Sequence, residues 1–285
     1  MKLKIKSVLI LFVVFISCQK VINLDMPLKD QRLVVQGMIT NEKISCQVIL
    51  SKTTQYNYIY NSANINYETG AIVVISDNMG NADTLTEKPS GKYNTHPNNF
   101  TGVLGRSYKI DINTKDGNHY RSTPEEMTIA PKIDSIYFTR DPNDRLKGSN
   151  AYRDNIYINW HGPIDSLYYF MRGVQYYWNN AWHDSIAWVS VFNNFSLDGK
   201  YLKTLAVSEY DGAYFYVKVN LYSLSKNNYD FWNLLYQQAY PNDDDDVNVT
   251  VPLVGNIFNI NNPDDYAIGY FQVSATSSKE IYVDH

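Results

Sequence analysis

One thiol carries the clearest chemistry in this sequence. Cys18 follows MKLKIKSVLILFVVFIS, in which Lys2, Lys4 and Lys6 precede an unbroken apolar run of nine residues, Val8 to Ile16. As a helix such a run spans about 13 Å at roughly 1.5 Å per residue, far short of the ~20 residues that a bilayer crossing needs. A short apolar core behind positive charge, ending at the small Ser17, reads as a secretory signal peptide. With the cysteine at the cut site it resembles a lipobox, the pattern in which bacterial lipoprotein signal peptidase cuts ahead of a cysteine whose thiol has received a diacylglycerol. Phe15 stands where lipoboxes usually carry an aliphatic residue. The expected product is a soluble body on a lipid tether, with diacylglycerol and an acyl chain such as palmitate on Cys18. Each buried methylene contributes about 0.8 kcal/mol, and two or more chains hold a protein stably on a membrane. The alternative is an ordinary signal peptide with an incidental cysteine.

The remaining candidates for chemistry are thinner. His96, His119, His161, His183 and His285 are scattered, with no two at i, i+4, and there is no HExxH, paired CxxC, GxSxG or Walker loop. The sequence therefore predicts a protein that is not an enzyme, with no metal site and no cofactor beyond its lipid. Asp243 to Asp246 could supply carboxylate oxygens to Ca2+. Consecutive aspartates lack the alternating ligand spacing of an EF-hand, so a solvated acidic loop is expected there, with Ca2+ binding left open. Asp141, Asn143 and Asp144 read the same way.

Aromatic residues offer a different kind of chemistry. Tyr56, Tyr58, Tyr60 and Tyr67 crowd one stretch together with Asn57, Asn61, Asn64 and Asn66. Long loops inside a domain are uncommon and usually functional or disordered. Tyr gives large rigid area at low entropy cost and Asn bonds in either sense, which suits recognition or stacking on sugar rings. Packing of a padded edge loop on its own domain is the competing reading. Trp178 and Trp182 form a second candidate contact patch, against which core packing competes.

Composition bounds what these residues can serve. Loss of the three leader lysines would leave 22 basic against 29 acidic residues, a formal charge of −7. Without a basic block there is no support for nucleic-acid or anionic-lipid binding. Two cysteines exist, and lipid on Cys18 would leave Cys46 alone, so no intramolecular disulfide is expected. Cys46 reads as a small buried hydrophobe on a strand. Stability must come from a core rich in the 25 Tyr, 11 Phe and 5 Trp.

The elements that position these groups are strands. After a polar tether over residues 18–30, period-two alternation marks 33–40, 46–51, 71–76, 82–87, 91–95, 107–113 and 118–122. AIVVIS (71–76) is apolar on both faces and reads as a central strand, and Asp116-Gly117 signals a two-residue hairpin turn. Seven short strands in about 95 residues predict a β-sandwich over 31–130. Pro124 to Pro131 is the expected boundary, with a β-rich second domain over 131–285. Its strands are expected at 133–138, 155–160, 167–178, 186–192, 201–207 and 213–224, with a hairpin tip at 178–184. One amphipathic helix is expected near 225–239, capped by Ser225 and stopped by Pro241. A terminal strand pair, 267–275 with 280–284, ends the chain.

Several short stretches resemble a known family. They are QKVINL directly after Cys18, LVVQGMIT, Gly70-Ala71, Gly91-x-Tyr93, YKIDI, YRSTPEEM, IDSIY, VGNIF and IGYF, in that order along nearly the whole mature chain. In these the chain resembles domain-of-unknown-function family 4249, lipoproteins of Bacteroidota commonly encoded beside TonB-dependent outer-membrane receptors. The resemblance implies an immunoglobulin- or transthyretin-like first domain and supplies no catalytic residues. It implies a non-enzymatic outer-membrane lipoprotein that acts as accessory or ligand-binding partner of a TonB-dependent transporter, taking a glycan or a small nutrient. An independent glycan-binding or adhesion lipoprotein is the alternative. Lys20 stands where such lipoproteins often carry an acid, so surface-exposed and periplasm-facing orientations both stay open.

Overall fold

Alternation along the strands builds the first half. The computed structural model describes residues 31–54, 65–96, 100–145, 152–161, 169–178, 181–184, 190–193, 201–207, 215–239 and 251–283; side chains at 141–145, 152–155, 161–190, 201–207 and 215 lie outside that description. In β1 (Leu33–Thr40) Leu33, Val35 and Ile39 are buried while Gln36 faces solvent. β2 (Gln47–Lys52) buries Val48 and Leu50, and β3 (Ile72–Asp77) buries Val73 and Ile75. Although β3 has neighbours on both sides, Ile72 is 58% exposed, so its outer face is not covered.

The expected strand at 82–87 is two strands. β4 (Ala82–Thr84) and β5 (Thr86–Lys88) lie in different sheets, and the chain crosses the core between them at buried Leu85. β6 (Lys92–Asn94), β7 (Ser107–Asn113), β8 (His119–Ser122) and β9 (Glu125–Glu126) follow. The turn between β7 and β8 is wider than Asp116-Gly117 alone. Gly117 N–H donates to the Thr114 carbonyl and Thr114 N–H to the Asn118 carbonyl, closing a three-residue loop. Gly117, at φ +90°, takes the left-handed position that such a loop requires after its first turn.

Longer strands form the second half: β10 (Lys132–Arg145), β11 (Tyr152–His161), β12 (Tyr169–Trp178), β13 (Ala181–Asp184), β14 (Ser190–Asn193), β15 (Tyr201–Val207) and β16 (Phe215–Leu224). β10 runs seven residues beyond the expected 138, so Asp141, Asn143 and Asp144 lie in its irregular end, not in a loop. Helix α1 (Lys226–Ala239) starts where Ser225 Oγ accepts from Asn228 N–H at 3.1 Å, the expected cap. β17 (Ile257–Asn259), β18 (Ile268–Ser274) and β19 (Thr276–Val283) end the described chain.

These strands make four sheets. Sheet 1 has the order β18–β1–β2–β6–β5, and sheet 2 the order β17–β8–β7–β3–β4 with β9 on β7. Their facing side chains form one core, including Val35, Leu50, Ile75, Ile110, Ile112 and Phe271. Sheet 3 is β10–β11–β15, and sheet 4 is β13–β12–β16–β19 with β14 on β12. Ile133, Ile156, Ile158 and Trp160 from sheet 3 meet Val217, Val219, Leu221 and Val283 from sheet 4 in a second core. The architecture is mainly β, two sandwiches and one described helix.

The last two strands are not paired with each other. β18 lies parallel to β1 in sheet 1, Val35 opposite Gly269, whereas β19 pairs antiparallel with β16 in sheet 4. Only Ala275 separates them, so one extended segment passes from the first sandwich into the second. Residues 31–130 therefore do not complete the first sandwich: β17 and β18 return to it from beyond residue 253. Parallel neighbours need a long crossover connection, and here everything from β2 to β17, most of the second sandwich included, is that connection.

Candidate functional site

Three of the stretches quoted above, LVVQGMIT, VGNIF and IGYF, pack against one another where β18 meets β1, the seam of the first sandwich. Gly255 of VGNIF and Gly269 of IGYF lie in contact: a Cβ on Gly255 would sit 1.5 Å from the Gly269 carbonyl oxygen, and one on Gly269, at φ +109°, would sit 1.9 Å from the Val35 oxygen of LVVQGMIT. Asn256 fills the edge of β18 beside them. Its Oδ1 accepts from Phe271 N–H at 2.9 Å and its Nδ2 donates to the Phe271 carbonyl at 3.0 Å, as a neighbouring strand would. The Tyr93 hydroxyl of Gly91-x-Tyr93 donates to the Glu68 carbonyl and accepts from Ala71 N–H, both at 3.1 Å.

Glu125, from YRSTPEEM, is the buried ionisable group of this seam. Ser225 Oγ donates to its carboxylate at 2.7 Å, and the Tyr270 hydroxyl donates to the other oxygen. Burial pushes the Glu125 carboxyl above its ordinary range, against the hydrogen bonds from Tyr270, Ser225 and Asn256 that pull it down. The Tyr270 hydroxyl is pushed up by burial and by the Glu125 charge beside it. Phe231 of α1 packs on Tyr270, ring centroids 5.2 Å apart, and Trp232 Nε1 donates to Gln272 Oε1 at 3.0 Å. Asn228, on the first turn of α1, is fully buried, and its amide has no partner among the described residues. These groups hold α1 and β18 to β9 around the buried Glu125 side chain.

Elsewhere the titratable side chains tie strands together. Asp111 Oδ1 accepts from His119 Nε2 at 2.9 Å and from Arg121 Nε at 2.7 Å, linking β7 to β8. His96 Nδ1 lies 3.3 Å from Asp83 Oδ1. Asp77 is held below the ordinary carboxylate range: burial pushes it up, but hydrogen bonds from Asn81, Met79 and Arg106 outweigh that. Burial and the Asp83 charge push the Cys46 thiol up to about 12, so it stays protonated and unreactive, as a small buried hydrophobe should. Among the described residues no group of three His, Cys, Asp or Glu could hold a metal ion.

The aromatic candidates divide. Cys18, Tyr56, Tyr58, Tyr60 and Asp243 to Asp246 lie outside the described residues. Tyr67 is half-buried and bridges Ser51 at the edge of β2. For Trp178 and Trp182 the backbone alone is described. β12 and β13 form a hairpin, with Trp178 opposite Ala181 and Trp182 opposite Tyr177, so 181–184 is a strand and not part of the expected tip at 178–184. The register then reveals an arrangement no local pattern could show. Tyr177 is also opposite Tyr216, and Tyr216 opposite Tyr282. Trp182, Tyr177, Tyr216 and Tyr282 thus form one row across β13, β12, β16 and β19, the full width of sheet 4.

Tyr216 and Tyr282 show which side of the sheet this row is on. Each is 43% exposed, while their neighbours Val217 and Val283 are fully buried. Their ring centroids lie 5.0 Å apart with planes at 54°. Two residues along, on the same face by strand alternation, the next row reads Asp184, Gln175, Lys218 and Glu280. Sheet 3 carries a smaller counterpart: Tyr137 and Tyr157 are opposite each other, stacked at 5.0 Å and 7°.

This mainly β fold, two sandwiches with β17 and β18 returning to the first, gives the class of protein. The sequence matches the domain of unknown function (DUF4249) over residues 19–280, and the chain belongs to that family. No curated protein matches it. Among solved structures it is similar to a mutant Salmonella alpha-2-macroglobulin, at 10% identity and a TM-score of 0.22 over 69% of this chain, of which it spans 14%. It is also similar to the chicken interferon gamma receptor alpha chain, at 9% identity and 0.19, covering 68% of this chain and 89% of that one. CBD12 from CALX1.2 matches at 11% identity and 0.18, covering 88% and 100%. At such TM-scores these likenesses carry no argument about this chain.

Proposed function

We propose that this protein is a non-enzymatic outer-membrane lipoprotein of the Bacteroidota type, anchored through Cys18 and serving as accessory or ligand-binding partner of a TonB-dependent transporter. The supporting observation is the junction at residue 18. A leader with three lysines and a short apolar run ends at Cys18, and the family match begins at the next residue, Gln19. No helix among the described residues is long and apolar enough to cross a membrane. A lipid tether supplies a membrane address and raises the effective concentration near a membrane partner without any new contact.

The structure adds a second support. The stretches that carry the family resemblance place Gly255, Asn256, Gly269 and Glu125 in fold-holding contacts, which suits a protein whose work lies on its surfaces. Labelled palmitate is expected on the mature chain and lost in Cys18→Ser, and gentle detergent extraction is expected to co-purify a large β-barrel receptor. Unlabelled wild-type protein overturns the anchor; recovery as a lone species overturns the partnership.

A further inference from the structure

We infer that the outer face of sheet 4, along the row Trp182, Tyr177, Tyr216 and Tyr282, is a binding platform for a neutral polysaccharide chain. The inference goes beyond the transporter reading and bears on how either a transport accessory or a lone adhesin would meet a glycan. It does not involve the Tyr56 to Tyr60 stretch.

Four features of the face select this ligand. First, the platform is rigid, because the opposite side of β16 and β19 is sealed into a core by Val217, Val219, Leu221 and Val283. Second, the row is long. Neighbouring strands lie about 4.8 Å apart, so four strands extend the row over roughly 14 Å, which suits a polymer better than a single small molecule. Third, the exposed rings are tyrosines, whose π-faces take the apolar C–H side of a pyranose while the hydroxyl stays wet. A quaternary ammonium ligand, by contrast, is recognised by a cage of rings, and a twisted sheet presents an open face.

Fourth, the flanking row is polar with little net charge. Lys218 stands opposite Glu280 and largely cancels it, and the register places Gln175 and Asp184 at the same level of β12 and β13. With Lys218 balanced by Glu280, an anionic polymer gains no net positive charge there. Hydroxyls of a neutral sugar meet donors and acceptors beside a stacking surface.

The test is native affinity electrophoresis of the full-length, detergent-solubilised protein in gels containing β-glucan, galactomannan or xylan, with alginate as the anionic control. Wild-type mobility is expected to fall in at least one neutral polymer. The double variant Tyr216→Leu, Tyr282→Leu keeps apolar bulk but removes the π-faces, and is expected to lose affinity about tenfold or more. Tyr216→Trp with Tyr282→Trp should keep or strengthen retardation, which guards against a folding defect in the leucine variant. Tyr137→Leu with Tyr157→Leu should leave it unchanged. Wild-type mobility unaltered in all three neutral gels overturns the inference, as does retardation by alginate alone or undiminished binding by the leucine variant. Receptor co-purification is a separate readout, so the two proposals can fail independently.

Discussion

Burying a carboxylate away from any cation costs free energy that hydrogen bonds must offset. Glu125 meets that cost with hydrogen bonds from Tyr270, Ser225 and Asn256. Its folded proton affinity is raised above the ordinary value of 4.5, so the native state binds a proton more readily than the unfolded chain does. The contribution is therefore full below 4.5 and lost as pH rises through the folded value. Asp77 has the opposite sign: held below 3.8, it contributes above that pH and loses its contribution as pH falls through the depressed value. The two windows do not overlap. Glu125→Gln keeps an acceptor for Tyr270 and removes the titration. The stability of the wild type minus that of this variant is thus expected to decline as pH rises from 4.5 through the raised folded value. Urea unfolding of both proteins across that range checks it, and a flat difference would refute the assignment. Nothing in PEEM announces this role, because a glutamate between prolines ordinarily faces water. The burial arises from Tyr270 and Ser225, 145 and 100 residues away.

At the scale of elements, the parallel contact of β18 with β1 depends on two glycines that leave room for backbone. Gly269 has both a positive φ and a carbonyl oxygen 1.9 Å from where its Cβ would be, and Gly255 faces an oxygen at 1.5 Å. Neither oxygen can swing aside, since both belong to paired backbone. Alanine at either position is expected to cost at least about 3 kcal/mol, in the range of strain and overpacking combined. Gly80→Ala is the comparison: φ is +87° but nothing lies within 4 Å, so only the conformational cost of roughly 1–2 kcal/mol applies. Equal midpoint shifts for the three variants in denaturant would sink the close-approach argument. These elements also show what the sequence made legible. Strand positions such as 33–40, 107–113 and 201–207, and the Ser225 cap, follow from local alternation and local hydrogen bonding, and they stand where the residues put them. What stayed hidden was sheet membership. ADTLTE alternates smoothly although Leu85 carries it from sheet 2 to sheet 1. The final strands read as a hairpin because adjacency in sequence is the commonest arrangement, whereas each has its partner elsewhere. The aromatic row was equally out of reach: Trp182 stood out only beside Trp178, while Tyr216 and Tyr282, further along its row, come from strands whose register only the fold reveals.

For the molecule as a whole, the consequence of β17 and β18 is that the first sandwich cannot stand without the end of the chain. β18 forms one side of sheet 1 and brings Phe271 and Val273 into its core, with Ala267 just ahead of it, all at most 1% exposed. Burying such side chains contributes roughly 1.5–3 kcal/mol for each large one, a sizeable share of the 5–15 kcal/mol that holds a typical domain together. β17 contributes Ile257 to the same core and covers the outer edge of β8. The second sandwich is joined to the first at Ala275, where Ser223 N–H donates to the Ala275 carbonyl at 3.0 Å and Ala275 N–H to Ser223 Oγ at 2.9 Å. The Ser223 hydroxyl also donates to the Thr128 carbonyl at 2.7 Å. Ser223 thereby holds the outgoing segment and the incoming one at the same point, and residues from Arg32 onward belong to one compact unit. Two independently folding domains split near residue 130 would unfold in two steps and survive separation. The present topology predicts otherwise: a fragment ending at residue 253 should lack cooperative unfolding even in its first half, and so should the isolated segment 31–130. The intact mature chain should lose the near-ultraviolet circular dichroism of its aromatic residues and its far-ultraviolet strand signal in one coincident urea transition. A folded, cooperatively melting 31–130 fragment would show that sheet 1 closes without β18, and that the returning strands decorate the first sandwich and do not complete it.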